Sequence, residues 1–461
     1  MSRRALLAAA VLVLAGCDAG TGPSVPAPDQ TRDQIRGQPQ DQPQDQPQGG
    51  TGLRPRADER LVVVTHATAP VLRLRPREAR RLVAVPADSP LRWRGRPVHR
   101  GVGPRDAARA LDRVERDPGA LGVVPLAQVR PTVRAALVAG SDPVRTAPGA
   151  VHLTVVGDLM LVRGVPDPAR ALAQVAPRLH RADLVVGNLE STLSTAGAPT
   201  QGSDSFGAGP GLVGHLRRAG LDAVSLANNH AGDYGTGALL DTVATLHRSP
   251  LAVFGAGADL AAASRPAYVE RGGVRFALLG FNAIGETPRA TRSGPGALSV
   301  RMPPRTGPLV RADLEHVTGL VRRAGRHADV VVVLPHWGTQ YTHEPEPVQR
   351  EVSRALVAAG ADLVVGGHPH WVQGIDVVEG PDAAVPVLHS LGNLVFDMDF
   401  MTQTMEGVVL EATFLGDRLA AMRLVPYVMD PGTFAPRPVG GAAGARILGE
   451  VWRASTGPFA R

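Results

Sequence analysis

The chain has 461 residues, 49 basic and 42 acidic, for a net charge of +7, and every basic residue other than histidine is arginine. One cysteine excludes a disulfide framework, and past the N-terminus no stretch is long and apolar enough to span a bilayer. The richness in Ala, Gly, Pro and Arg is what a GC-rich genome encodes. So small a charge excess is only weak support for a surface that attracts an anionic polymer or envelope, and no motif points to nucleic acid.

The chain opens "MSRRALLAAAVLVLAGCDAG". Arg3 and Arg4 precede an apolar run of signal-peptide length, and "LAGC" resembles the bacterial lipobox. Residues 1–17 are expected to be a lipoprotein signal. Lipidated Cys17 would then hold the mature chain to the outer, extracytoplasmic face of the cell membrane. Residues 18–52, with "GQPQDQPQDQPQGG", have almost nothing apolar and read as a disordered tether. Residues 53–147 read as a small α/β domain. "RLVVVTH" and "RRLVAV" are expected strands, "GPRDAARALDRVERD" a helix, and "GALGVVPLAQV" a strand and turn. "PGALGVVP" resembles a segment of extracytoplasmic solute-binding proteins; a plain spacer domain is the alternative.

From residue 150 onward, Val- and Leu-rich runs alternate with amphipathic segments. The runs include "VHLTVVGD", "ADLVVGNLE", "VRFALLGFN", "ADVVVVLPHWG" and "ADLVVGGHPH"; among the helical segments are "PARALAQVAPRLHR" and "PVQREVSRALVAAG". This pattern predicts a largely parallel sheet covered by helices. "GVVLEATFLGDRLAAMRLVPYV" predicts a hairpin turning at "GD".

The polar clusters fall at the C-terminal ends of these strands, where open α/β sheets place their ligand crevice. They comprise Asp158, Asn188 with Glu190, Asn228 to His230, His336, and His368 with His370. Singly, each has an ordinary use: carboxylates cap helices, asparagines make turns, and His336 beside Trp337 could be a core histidine. Together they place carboxylates in a partly dry crevice with no lysine to neutralise them, and a divalent cation would do so. Carboxylate, imidazole and amide oxygen suit Zn, Mn or Fe(II). One or two ions fit; two ions about 4 Å apart can clamp a phosphoryl transfer.

In order, "GDLML", "GNLEST", "SLANNHAGDYG", "LPHWGTQY", "GGHPHWVQGI" and "SLGNLVFD" resemble the CapA (poly-γ-glutamate capsule synthesis) family over residues 150–461. That family looks like a branch of the calcineurin-like metallophosphoesterases. The resemblance implies a β-sandwich flanked by helices, preceded here by the small α/β domain. It assigns Asp158, Glu190, Asn229, His336, His368 and His370 to metal, and His230 to protonation of a leaving oxygen. Asn228, Asp233, Tyr234, Trp337 and Asn393 would support the site or touch substrate. Metallophosphoesterases usually carry a histidine where this chain has Met160; the family often has glutamate at Gln340 and arginine at Gly207. The implied function is metal-dependent hydrolysis of a phosphoester or of a bond in an anionic surface polymer. A non-catalytic role in a membrane synthase complex, or ligand sensing by residues 53–147, are the alternatives.

Overall fold

The computed structural model describes residues 60–86 and 91–461, which belong to one compact unit. Cys17, the signal-like residues 1–17 and the tether 18–52 lie outside the described residues.

The first region forms a sheet of five strands in the order Arg92–Trp93, Arg96–Arg100, Leu121–Pro125, Leu61–His66, Val133–Ala135. Helix Pro104–Arg116 lays Ala107, Ala110, Leu111 and Val114 on it, at the i, i+3, i+4, i+7 spacing of one helical face. "RRLVAV" is not a strand. Its first four residues end helix Pro76–Val83, which opens with Pro76 at its first position and is capped by the Glu78 carboxylate on the Arg75 amide. Only Leu82 is fully buried there, so the arginines stay in water as a strand's alternation would not have allowed. The apolar core of this region includes Ala420 of the C-terminal hairpin, and Arg418 donates to the Val129 carbonyl.

The remainder holds two sheets rather than one. The larger runs Ala252–Phe254, Ala223–Ser225, Leu184–Leu189, Ala150–Leu159, Glu406–Leu415, Arg418–Met429, Pro436–Pro438, with Asn393–Val395 also paired to the end of Ala150–Leu159. The smaller runs Ala267–Arg271, Val274–Asn282, Val330–His336, Leu363–Val365, Ala384–Leu388, Ile375–Glu379. In the larger sheet the strands from Ala252–Phe254 to Ala150–Leu159 pair parallel and those from Ala150–Leu159 to Pro436–Pro438 antiparallel, including the expected hairpin turning at Gly416 and Asp417; in the smaller sheet pairing is parallel in the middle and antiparallel at both flanks.

The sheets share one core. Along Ala150–Leu159, Val151, Leu153 and Val155 face the other sheet, while Val156 and Leu159 face helices. Along Val330–His336, Val330, Val332 and Leu334 face inward, and Val331 and Val333 meet helices Arg311–Ala324 and Pro347–Ala358. Continuous Val/Leu runs report burial of both faces but not whether a sheet or a helix does the covering, and so the residues alone predict a single sheet. The segment expected as a single helix over residues 168–181 is two, Pro168–Ala173 and Ala176–Leu179, because Pro177 cannot donate to a continuing helix.

Candidate metal centre

The C-terminal ends of strands from both sheets meet at one place. Asp158 is the penultimate residue of Ala150–Leu159, Glu190 follows Leu184–Leu189, and His336 ends Val330–His336. His368 and His370 lie just past Leu363–Val365, both at positive φ (96° and 60°), a region L residues enter only when the surroundings hold them there. Gly367 makes the approach feasible: a Cβ there would stand 2.5 Å from Asp158 Oδ1. Instead the His368 amide donates to Asp158 Oδ2 at 3.1 Å.

One oxygen or nitrogen from each of Asp158, Glu190 and His370 falls within 4.8 Å of the others, and all three residues are buried. Asn188 holds this group together. Its Nδ2 lies 2.8 Å from Asp158 Oδ1, 3.3 Å from Glu190 Oε2 and 3.2 Å from His336 Nδ1. Asn228 in turn donates to Asn188 Oδ1 (2.9 Å) and to the Leu189 carbonyl (2.8 Å), fixing the amide's orientation. His336 Nε2 lies 2.8 Å from Asn229 Oδ1 and 3.7 Å from Glu190 Oε1. Asn393 Oδ1 lies 2.8 Å from His370 Nδ1, which leaves Nε2 as that ring's free lone pair.

His230 closes the cluster. Its Nε2 is 3.9 Å from Glu190 Oε1, its Nδ1 is 2.8 Å from Asp233 Oδ2, and its ring stacks on Phe206 with centroids 3.9 Å apart. Asp233 is itself fixed by the Phe206 amide at 2.7 Å.

Charge is left over. Burial pushes the Asp158 carboxyl up to about 6. Burial, then the neighbouring carboxylates of Asp158, Asp233 and Glu286, push Glu190 far above the usual range. Burial, reinforced by the neighbouring rings, holds His336 and His368 well below the ordinary histidine range, and it lowers His370 to about 4. So the rings supply no positive charge. Among the described residues, Glu190 Oε1 and His368 Nδ1 are buried polar atoms with no hydrogen-bond partner. An unpaired buried carboxylate costs several kcal/mol. Oxygen and neutral imidazole donors around an unbonded carboxylate oxygen fit a divalent cation.

The family model for the bacterial capsule synthesis protein PGA_cap matches residues 152–398, the span that contains all of these residues. The chain belongs to that family. The capsule biosynthesis protein CapA of Bacillus anthracis is 32% identical over 298 residues, covering 62% of this chain and 69% of its own length. The PGA biosynthesis protein CapA of Bacillus subtilis is 31% identical over 291 residues, covering 61% and 72%. A hypothetical protein of Thermus thermophilus, of known crystal structure, covers 60% of this chain and 99% of its own at 18% identity and a TM-score of 0.38.

The other residues singled out within this family's motifs are placed unevenly. Asn228, Asp233 and Asn393 support the cluster by the bonds above. Tyr234 is half-buried and lies over Gly207, where a Cβ would stand 2.5 Å from its ring. Trp337 faces the helices: its ring joins the core on that side, and its Nε1 donates to the His389 carbonyl at 3.0 Å. Met160 is packed in the core of the larger sheet's helical face, and its amide donates to Val395. The motifs missed Phe206 and Glu286. Glu286 Oε2 accepts from Asn229 Nδ2 at 2.6 Å, and Arg305 donates to its other oxygen at 2.5 Å. Neither belongs to a motif. Asn188 carried a usable signal, because it stands two residues before Glu190 at the same strand end.

Proposed function

We propose that this chain is an accessory protein of capsule or poly-γ-glutamate synthesis. In this reading it is anchored through Cys17 outside the cell membrane and carries a metal-dependent, phosphoesterase-type centre on a calcineurin-like sandwich. Membership of the PGA_cap family and the names of the two Bacillus relatives support the polymer context. The observation that carries the centre is Glu190 Oε1, buried, unbonded and flanked by a second buried carboxylate.

Asp158, Glu190 and His370 would hold the ion, with Asn229, His336 and His368 within the same cluster. A bound divalent cation would neutralise the carboxylates, polarise a phosphoryl oxygen and lower the pKa of water. The chain's own groups do the rest. Asp233 Oδ2, accepting from His230 Nδ1, leaves Nε2 as the atom that gives a proton to a departing oxygen. The Phe206 stack keeps the ring facing the carboxylates. Asn188 and Asn228 fix the carboxylates without adding charge.

The test is hydrolysis of phosphomonoesters and phosphodiesters by metal-loaded chain beside His230→Ala. Turnover that falls at least about a hundredfold in the variant, at unchanged metal content, supports the reading. Met160, turned into the core, favours one alternative: a centre that binds an ion but serves assembly of a synthase complex. Metal binding with no turnover of either ester class, together with co-purification of membrane synthase components, would favour that role.

A further inference from the structure

On the smaller sheet's edge, outside the motifs, lies an open cavity of about 560 Å³ that shares no lining residue with the metal centre. Arg265, Arg292, Arg323, His316 and His327 line it, and among the described residues no acid does. His316, Leu320, Arg323 and His327 follow at intervals of four, three and four, so helix Arg311–Ala324 and the turn after it present one continuous face. The lining also has an apolar part, with Leu260, the buried Leu320 and the exposed Tyr268 ring. The Arg275 guanidinium sits 4.9 Å over that ring and adds another cation beside the opening.

Arginines are common in this chain, so what matters is how these are left. Asp313, one helical turn before His316, is taken by Arg289 at 3.0 Å and Arg301 at 2.8 Å. Arg265, Arg292 and Arg323 form no ion pair with any described residue, and His316 Nε2 meets only Ser264 Oγ at 2.9 Å. Three free guanidinium forks beside an apolar lining select for carboxylates carried on an aliphatic body, since each fork can bind a carboxylate bidentately while methylenes cover that lining. The volume falls within the usual range of roughly 300–1,000 Å³ for a ligand pocket. Its concavity favours a chain segment over a flat membrane surface.

We infer that this cavity binds a segment of a flexible aliphatic polycarboxylate. Naming that chain poly-γ-glutamate rests on the function proposed above; the preference for a polycarboxylate does not.

The test is calorimetric titration of the full chain in neutral detergent micelles with short poly-γ-glutamate, with polyglutamine as the uncharged control. Binding is expected to weaken at least about tenfold in the triple variant Arg265→Gln, Arg292→Gln, Arg323→Gln. It should weaken several-fold in Tyr268→Ala and remain unchanged in Arg105→Gln, an exposed arginine outside the cavity. All three arginines are exposed, so the triple variant is expected to fold, and its melting curve checks this. Equal affinity in the triple variant overturns the inference. So does tighter binding to micelles doped with phosphatidylglycerol than to the polymer. If the metal centre proves inactive while the arginine dependence holds, the function above fails and the cavity stands.

Discussion

Glu190 and Arg323 are both ionisable side chains without an arginine–carboxylate ion pair, but they stand in opposite settings. Glu190 is fully buried with one oxygen unbonded, whereas Arg323 stands exposed at the edge of an open cavity. An unpaired charge in water costs almost nothing, and an unpaired charge in a dry cluster costs several kcal/mol. The buried acids therefore require a resident counter-ion or a proton for the fold to be stable. The arginine cavity can remain empty until an anion arrives. One site is built around a permanent occupant and the other around an exchangeable one.

The sharpest way to break this contrast is to remove a buried acid. Asp158→Ala or Glu190→Ala should lower ion affinity by more than about a hundredfold, beyond the loss typical of groups that merely orient ligands. Equilibrium dialysis with Mn and Zn measures it. The next effect is on stability. The folded-state pKa of Asp158 is about 6 against an ordinary 3.8, so folding is favoured while the group is protonated. That contribution is present below about pH 4 and is lost as pH rises through about 6, amounting to roughly 3 kcal/mol. Glu190, shifted in the same direction, extends the loss to higher pH. Denaturant titrations of metal-stripped chain at about pH 5 and about pH 8 should show about half of this fall, roughly 1.4 kcal/mol, relative to Asp158→Asn, and added ion should reverse it. A smaller effect is expected at Gly367→Ala, whose Cβ would press on Asp158 Oδ1; about 1–3 kcal/mol of stability and some ion affinity should be lost. At the exposed end of the comparison, the triple arginine variant should move stability by no more than about 0.5 kcal/mol.

Much of this molecule is legible in its sequence. The Val/Leu runs locate the central strands, and the rule that ligands gather at strand ends brings Asp158, Glu190, His336, His368 and His370 together. What local pattern does not carry is the choice between coverings. Val331 and Val332 look alike in sequence, yet one meets a helix and the other a sheet. "RRLVAV" has a strand's composition but sits at the end of a helix started and capped upstream. Trp337 stands next to His336, and the period of two that aims one at the cluster sends the other into the helical layer. Phe206 reaches His230 only through the tertiary fold, and no spacing rule connects them.

The central claim is that the buried acids hold an ion, and metal content tests it most directly. Chain loaded with Mn or Zn, passed through a desalting column and measured by inductively coupled plasma mass spectrometry, should retain one or two ions. Retention should be lost in Asp158→Asn, Glu190→Gln and His370→Ala variants that still fold. Wild-type chain that emerges folded and metal-free after loading with either ion, at neutral pH, would contradict the account.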